Sequence, residues 1–241
     1  MTSAMKRIIN LDIKGINKLH LDKQGIYIQF DEENMLKAKA MIIGPENTPF
    51  ANGVLFFEID FPTNYPYSPP KVQYYSASRH RIHPNLYVGR SHNNFLGKVC
   101  LSILNTWAGP QWTTVMHIGS ILMSIQSLLC DNPLHNEPGF ENEVGIRNDT
   151  YNQIVHYDTF DNLIWKNCFQ PPEKFSIFLP QINEHILNKG LTILKDCSEL
   201  AAARHEKSKV SLNIYNITII MDYKRLNKIL IGLIEEKFAN Q

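Results

Sequence analysis

Between Thr2 and Leu19 the apolar residues Met5, Ile9, Ile13 and Ile16 recur at helical spacing. This predicts an amphipathic helix with Thr2 or Ser3 available to cap its free amides and with Lys6 and Arg7 on its exposed side, solvated or used for docking a partner. From Gly25 the period falls to two. Ile26, Ile28 and Phe30 share a face, then Ala38, Ala40 and Ile42, then Leu55, Phe57, Ile59 and Phe61. Turn-forming residues at Asp31–Asn34 and Gly44–Pro49 separate these runs and favour hairpins over crossovers, so they predict an antiparallel meander, with a fourth strand near Val72–Tyr75. Pro62, Pro66, Pro69 and Pro70 exclude a central strand or helix between the third and fourth strands and predict a stiff exposed loop. Ile118, Ile121, Leu122, Ile125, Leu128 and Leu129 then form the wide apolar stripe of a core helix.

Residues from Glu141 to about Trp165 read as one or two more polar helices. Pro171-Pro172 stops a helix and stiffens the connection, which divides the chain into a unit at 1–169 and an extension at 170–241. In the extension, Ile182, Ile186, Leu187 and Leu194 are helical in spacing; Val210, Leu212 and Ile214 alternate; Leu226, Ile229, Leu230 and Leu233 form a last helical stripe. So short a segment buries little by itself and is expected to dock on the larger unit. The fold class expected is α+β.

A formal charge of +1 and the absence of a basic block argue against nucleic acid or an anionic membrane as partner. No apolar run has the length of a bilayer span. Cys100, Cys130, Cys168 and Cys197 are far apart and no secretory signal precedes Met5-Lys6-Arg7, so free thiols in the cytoplasm or nucleus are expected. No closely spaced Cys/His set suggests a metal site.

The stretch His83–Cys100 concentrates the chemistry. A cysteine lies between a glycine-bearing turn, Leu96-Gly97-Lys98, and the apolar run Leu101–Leu104, with His83-Pro84-Asn85 upstream. This is the pattern of a thiol presented on an ordered loop for acyl chemistry. A papain-like cysteine hydrolase would draw on His117, His135 or His156, but the residues around Cys100 do not resemble the start of such a nucleophile's helix.

Several strings in order carry a family resemblance: Lys6-Arg7-Ile8, Gly44-Pro45-Glu46-Asn47-Thr48-Pro49-Phe50, Phe61–Pro66, Ser68-Pro69-Pro70-Lys71-Val72, His83-Pro84-Asn85, Gly97–Leu104, Ser124–Leu129 and His135–Glu141. Over roughly Met5–Trp165 the chain resembles the ubiquitin-conjugating enzymes, and within them the large Z type. The resemblance implies an N-terminal helix, a four-stranded antiparallel meander, an active-site loop, a central helix and C-terminal helices. It implies that Cys100 receives the carboxyl terminus of ubiquitin or a ubiquitin-like protein from an activating enzyme, then passes it to a substrate lysine, usually with a ligase. No cofactor is implied, since ATP is used by the activating enzyme.

Asn85 matches the family residue that stabilises the oxyanion or holds its loop. His83 is implied mainly as a structural hydrogen-bonding residue of the same turn. Where the family has an aspartate before a proline, this chain has Glu137 before Pro138, so Glu137 is the implied gate for the attacking lysine, with Asn136 and His135 beside it. Tyr67 matches an aromatic on the first ligase-binding loop. Thr114-Val115 stands in the second loop, where the family commonly has Pro-Ala. Trp107 and Trp112 are expected to be buried.

One departure falls inside the central stretch. Asn85 and Cys100 are fifteen positions apart, farther than in the family, through an insertion within Val88–Phe95 that carries His92. It is either a solvent bulge or a lip beside the thioester. An inactive, ubiquitin-binding variant is the non-enzymatic alternative; such variants lack the cysteine.

Overall fold

In the computed structural model, which describes residues 2–89, 95–204 and 207–239, α1 (Ser3–Arg7), a π-helical turn (Ile8–Asp12) and α2 (Ile13–Lys18) run as one helix. Thr2 caps it, its Oγ1 accepting from the Met5 N–H at 3.3 Å. The buried face differs from the expected one: it runs through Ala4, Ile8 and Asp12, whose four-residue steps suit the wider π turn, while Met5 and Ile9 are only partly covered. Asp12 is thereby buried. It accepts from the Tyr65 hydroxyl at 2.6 Å and from the Ile118 N–H at 2.8 Å, tying the helix to the proline-rich loop and the central helix. Burial raises its pKa, against those two hydrogen bonds and the charge of Arg7.

The sheet is antiparallel in the order β1 (Ile26–Phe30), β2 (Lys37–Ile43), β3 (Val54–Asp60), β4 (Lys71–Tyr75) and β5 (Leu96–Lys98). The four expected strands form the meander, and β5 is a fifth, pairing Tyr75 with Leu96 and Gln73 with Lys98. Three residues are too few for a period-two pattern to be visible in the sequence. On β3, Leu55, Phe57 and Ile59 share one face as expected. A sheet with one solvated face would leave Val54 and Phe56 exposed, yet both are buried. The extension covers Phe56, where the Phe175 ring stacks at 4.5 Å and Lys174 reaches the neighbouring Glu58 at 2.6 Å, while Asn167 donates to the Val54 carbonyl at 2.7 Å.

α3 (Ile118–Leu128) carries the expected apolar stripe, with Ile118, Ile121, Leu122 and Ile125 buried. It begins in a capping box: His117 Nδ1 accepts from the Ser120 N–H, and Ser120 Oγ accepts from the His117 N–H. α4 (Ile146–Asp158), a π-helical turn (Thr159–Ile164) and α5 (Trp165–Phe169) follow. After Pro171-Pro172 come a 3-10 segment (Glu173–Phe178), α6 (Leu179–Ala203), the hairpin β6 (Ser208–Leu212) and β7 (Ile217–Met221), and α7 (Tyr223–Ala239). β7 (Ile217-Thr218-Ile219-Ile220-Met221) places an apolar residue, Ile220, at an exposed position, which breaks the alternation in the sequence, so the pattern shows only its partner strand.

Packing does not stop at the double proline. One core cluster includes Ala4, Phe56 and Leu122 together with Phe175, Ile186 and Leu230. Polar contacts seal the seam: His185 Nε2–H donates to the Asn52 carbonyl at 3.0 Å, the Tyr157 hydroxyl accepts from the Asp222 N–H at 3.1 Å, and Arg225 pairs with Asp161 at 2.6 Å. Among the described residues no helix is long and apolar enough to cross a membrane.

Candidate active site

Cys100 follows β5 and meets the His83–Asn85 turn through a reciprocal pair of hydrogen bonds. Its N–H donates to the Asn85 carbonyl at 2.8 Å, and Asn85 Nδ2 donates to the Cys100 carbonyl at 2.7 Å. The residue is 2% exposed. The thiol is therefore recessed within the ordered loop that carries it; pairing of both its backbone groups draws it inward beside the buried Val99. Asn85 Oδ1 is buried without a partner among the described residues.

The turn is set by His83. Its Nδ1 accepts from the Asn85 N–H at 3.0 Å, so the proton resides on Nε2, which donates to the Leu128 carbonyl at the end of α3 at 2.9 Å. Burial brings its pKa down to about 3, so the ring is neutral at physiological pH. In this geometry His83 holds the turn on the central helix and is not hydrogen-bonded to Cys100.

The long spacer is closed at its base. Leu86 bridges to Val99, and the Tyr87 N–H donates to the Lys98 carbonyl at 3.0 Å. This crossing requires Gly97, where an added Cβ would lie 1.6 Å from the Tyr87 carbonyl oxygen. Asn85 and Cys100 thus meet despite the insertion. Residues 90–94, with His92, lie outside the described residues, and so does the question of a bulge or a lip.

The segment after α3 holds the three gate candidates together. His135 Nε2–H donates to the Glu143 carbonyl at 2.8 Å, and Asn136 Nδ2 donates to the Pro133 carbonyl at 3.2 Å and to Cys130 Sγ at 3.6 Å. Glu137 Oε2 accepts from the Tyr215 hydroxyl at 2.5 Å. Tyr215 belongs to the extension and is not marked in the sequence, nor is Arg81, whose guanidinium lies over the rings of Tyr87 and Tyr215 and donates to the Pro84 carbonyl. No local motif marks Tyr215, since its partners are distant in sequence; Arg81 is near Pro84 and Tyr87 but lies outside every string that carries the resemblance.

Of the expected docking residues, Lys6 and Thr114 are exposed, as are Tyr67 at 78% and Val115 at 82%. Arg7 is a correction: it points inward, donating to the Met116 carbonyl at 2.7 Å and lying 3.7 Å from Asp12, because the buried carboxylate draws it. Trp112 is buried as expected, its indole N–H donating to the Pro66 carbonyl at 2.7 Å. Trp107 is 45% exposed, against expectation. Cys168 and Cys197 are buried, and burial raises both thiols, Cys197 to about 12. Among the described residues no histidine is hydrogen-bonded to Cys100. His117 caps α3 and His156 packs on Phe160, which disperses the set a papain-like hydrolase needs. The described residues also include no cluster suited to a metal ion.

The meander, the central helix and a cysteine held against a His-Pro-Asn turn define a class. Residues 9–158 match the family model described as ubiquitin-conjugating enzyme. The chain belongs to that family. Its similarity to ubiquitin-conjugating enzyme E2 Z of Danio rerio, 41% identical over 138 residues, places it with the Z-type subfamily; that match covers 56% of this chain and 40% of the relative. The probable ubiquitin-conjugating enzyme protein 17 of Caenorhabditis elegans is 38% identical over 202 residues, covering 79% of this chain and 26% of the relative. That coverage exceeds what residues 1–169 alone can supply, so the likeness reaches into the extension. The dual E2 ubiquitin-conjugating enzyme/E3 ubiquitin-protein ligase BIRC6 of Homo sapiens is 35% identical over 192 residues, which is 73% of this chain and 4% of the relative. The chain therefore spans less than half the length of each of these relatives.

Proposed function

We propose that the chain carries ubiquitin, or a ubiquitin-like protein, as a thioester on Cys100 and transfers it to a lysine amine. In the first step the Cys100 sulfur attacks the modifier's thioester carbonyl on the activating enzyme. A new C–S bond forms, the activating enzyme's thiol leaves, and the proton of Cys100 is returned to that thiol. One thioester replaces another, so the step is near neutral and needs no permanently ionised cysteine and no paired histidine. In the second step the amine attacks, an isopeptide bond forms, and the Cys100 thiol leaves.

The observation that carries this reading is the reciprocal Asn85–Cys100 pairing. It uses one hydrogen of the Asn85 amide to hold the Cys100 backbone, and the second amide hydrogen serves the oxygen on which negative charge develops. His83, neutral and bonded on both ring nitrogens, acts through the shape of the turn. Glu137, flanked by Asn136 and His135, receives the proton that the attacking ammonium must shed. Lys6, Tyr67, Thr114 and Val115 offer an exposed surface for an activating enzyme or ligase, with Arg7 supporting it from beneath. ATP is consumed upstream, so the chain itself needs no cofactor, and its free thiols suit the cytoplasm or nucleus.

Incubation with activating enzyme, ATP and a panel of ubiquitin-like modifiers tests the reading. One modifier is expected to give an adduct that a reducing agent removes and that Cys100→Ser does not form. Asn85→Ala is expected to keep charging but to slow transfer to lysine by about 10²-fold. Absence of an adduct under every charging condition would sink the proposal and favour a ubiquitin-binding role without catalysis.

A further inference from the structure

The hairpin of the extension turns through residues 213–216, and two of these have left-handed backbone: Tyr215 at φ 60° and Asn216 at φ 51°. Asparagine adopts this region readily, but a bulky residue there is an outlier that persists only where its surroundings over-determine it. For Tyr215 the surroundings are the candidate active site. Its hydroxyl donates to Glu137 Oε2 at 2.5 Å, its ring centre lies 4.6 Å from the Arg81 guanidinium, and its ring packs 6.0 Å from that of Tyr151.

Arg81 carries the contact onward. The same guanidinium lies 3.7 Å from the centre of the Tyr87 ring, it donates to the carbonyl of Pro84, and the Arg81 carbonyl accepts from the Tyr151 hydroxyl at 2.9 Å. Pro84 is the middle of the turn whose Asn85 holds Cys100 from both sides, and Tyr87 anchors the base of the spacer on Lys98. A single side chain from the extension therefore touches both the gate carboxylate and the arginine that braces the catalytic turn.

We infer that Tyr215 is a positioning residue through which the C-terminal extension completes the active site. The ring, stacked on Arg81, holds the His83–Asn85 turn under Cys100. The hydroxyl occupies Oε2 of Glu137, while Oε1 takes no hydrogen bond from the described residues and keeps its lone pairs for the ammonium proton of the incoming lysine. The role of Glu137 rests on the conjugation reading above; the bracing of the turn does not.

The test compares full-length wild type, Tyr215→Phe and Tyr215→Ala, charged with ubiquitin by its activating enzyme. Discharge to free lysine is measured beside discharge to a small thiol, which has no ammonium proton to lose. Tyr215→Phe keeps the ring. It is expected to charge and to discharge to thiol within about twofold of wild type, and to discharge to lysine about five- to tenfold more slowly. Tyr215→Ala is expected to slow both acceptors and to raise hydrogen exchange at the Asn85 and Cys100 amides about tenfold, measured well below the melting temperature. Tyr215→Phe that discharges to lysine at or above the wild-type rate, or that slows both acceptors equally, overturns the positioning of Glu137. Unchanged amide exchange in Tyr215→Ala overturns the bracing. A wild-type chain that accepts no modifier removes the conjugation reading and the part of Glu137 with it, and the exchange measurement still decides the bracing.

Discussion

The turn at His83–Asn85 and the turn at 213–216 meet through Arg81, and they are held in different ways. The first is closed by its own residues: Pro84 fixes its φ, the Leu86 N–H donates to the His83 carbonyl at 3.1 Å, and the His83 ring accepts from Asn85 two residues on. The second closes the Asn216 N–H onto the Asn213 carbonyl at 3.0 Å but places a tyrosine in a backbone region that tyrosine avoids. Its geometry is sustained by Glu137, Arg81 and Tyr151, all remote in sequence. A locally closed turn keeps its own shape and depends on remote groups, here Leu128 and Arg81, for its placement under Cys100. A turn held by remote partners depends on everything that docks its element.

The largest effect should come from undocking the extension. Phe175 is fully buried against Phe56, and Phe175→Ala removes that stack, at about 3–5 kcal/mol for a buried phenylalanine. For a chain of this size that is a fall in melting temperature of roughly 10 °C by calorimetry. A loss below ~1 kcal/mol would mean that the extension is loosely appended and that the contrast between the turns is overstated.

A smaller effect, on the catalytic side, is expected of Gly97→Ala. The new methyl group meets the Tyr87 carbonyl, so the base of the spacer must open, at about 1–3 kcal/mol. Charging of Cys100 should slow while the hairpin keeps its amide protection. Equal loosening of both turns would show that they are one cooperative unit.

The smallest effect concerns the buried carboxylate at the end of α4. Asp158 is buried, accepting from Ser78 Oγ and Asn162 Nδ2 at 2.8 Å each, and burial raises its acid to about 7. The folded state thus holds its proton more tightly than the unfolded chain, so this group's contribution to stability is full below about pH 4 and declines as pH rises through about 7. Asp158→Asn should leave the melting temperature near pH 4 almost unchanged and raise it by ~2–4 °C at pH 8. A variant less stable at pH 8 than wild type would show that the carboxylate is used in its charged form.

What was legible in the sequence shares one property: the deciding interactions are local. Alternation of Leu55, Phe57 and Ile59 marks a strand because side chains two apart share a face, and the stripe on α3 marks a core helix for the corresponding reason at period 3.6. Pro84-Asn85 writes its own turn, and the cysteine beside it is found by the ordered motifs around it. The sequence by itself therefore determined the meander, the central helix, the double-proline break and the candidate nucleophile.

Only the tertiary structure decided the rest. The first helix changed its buried face because a π turn brought Asp12 to Tyr65 and Ile118, and Arg7 followed that carboxylate inward. β5 exists because β4 offers it an edge, and Phe56 is buried because Phe175 lies over it. Tyr215 reaches Glu137 across 78 positions of chain, a separation that no spacing rule spans. Hydrogen bonds and stacking act over a few ångströms of space whatever the distance along the chain, so such contacts are set by how the elements pack and not by the pattern within any one of them.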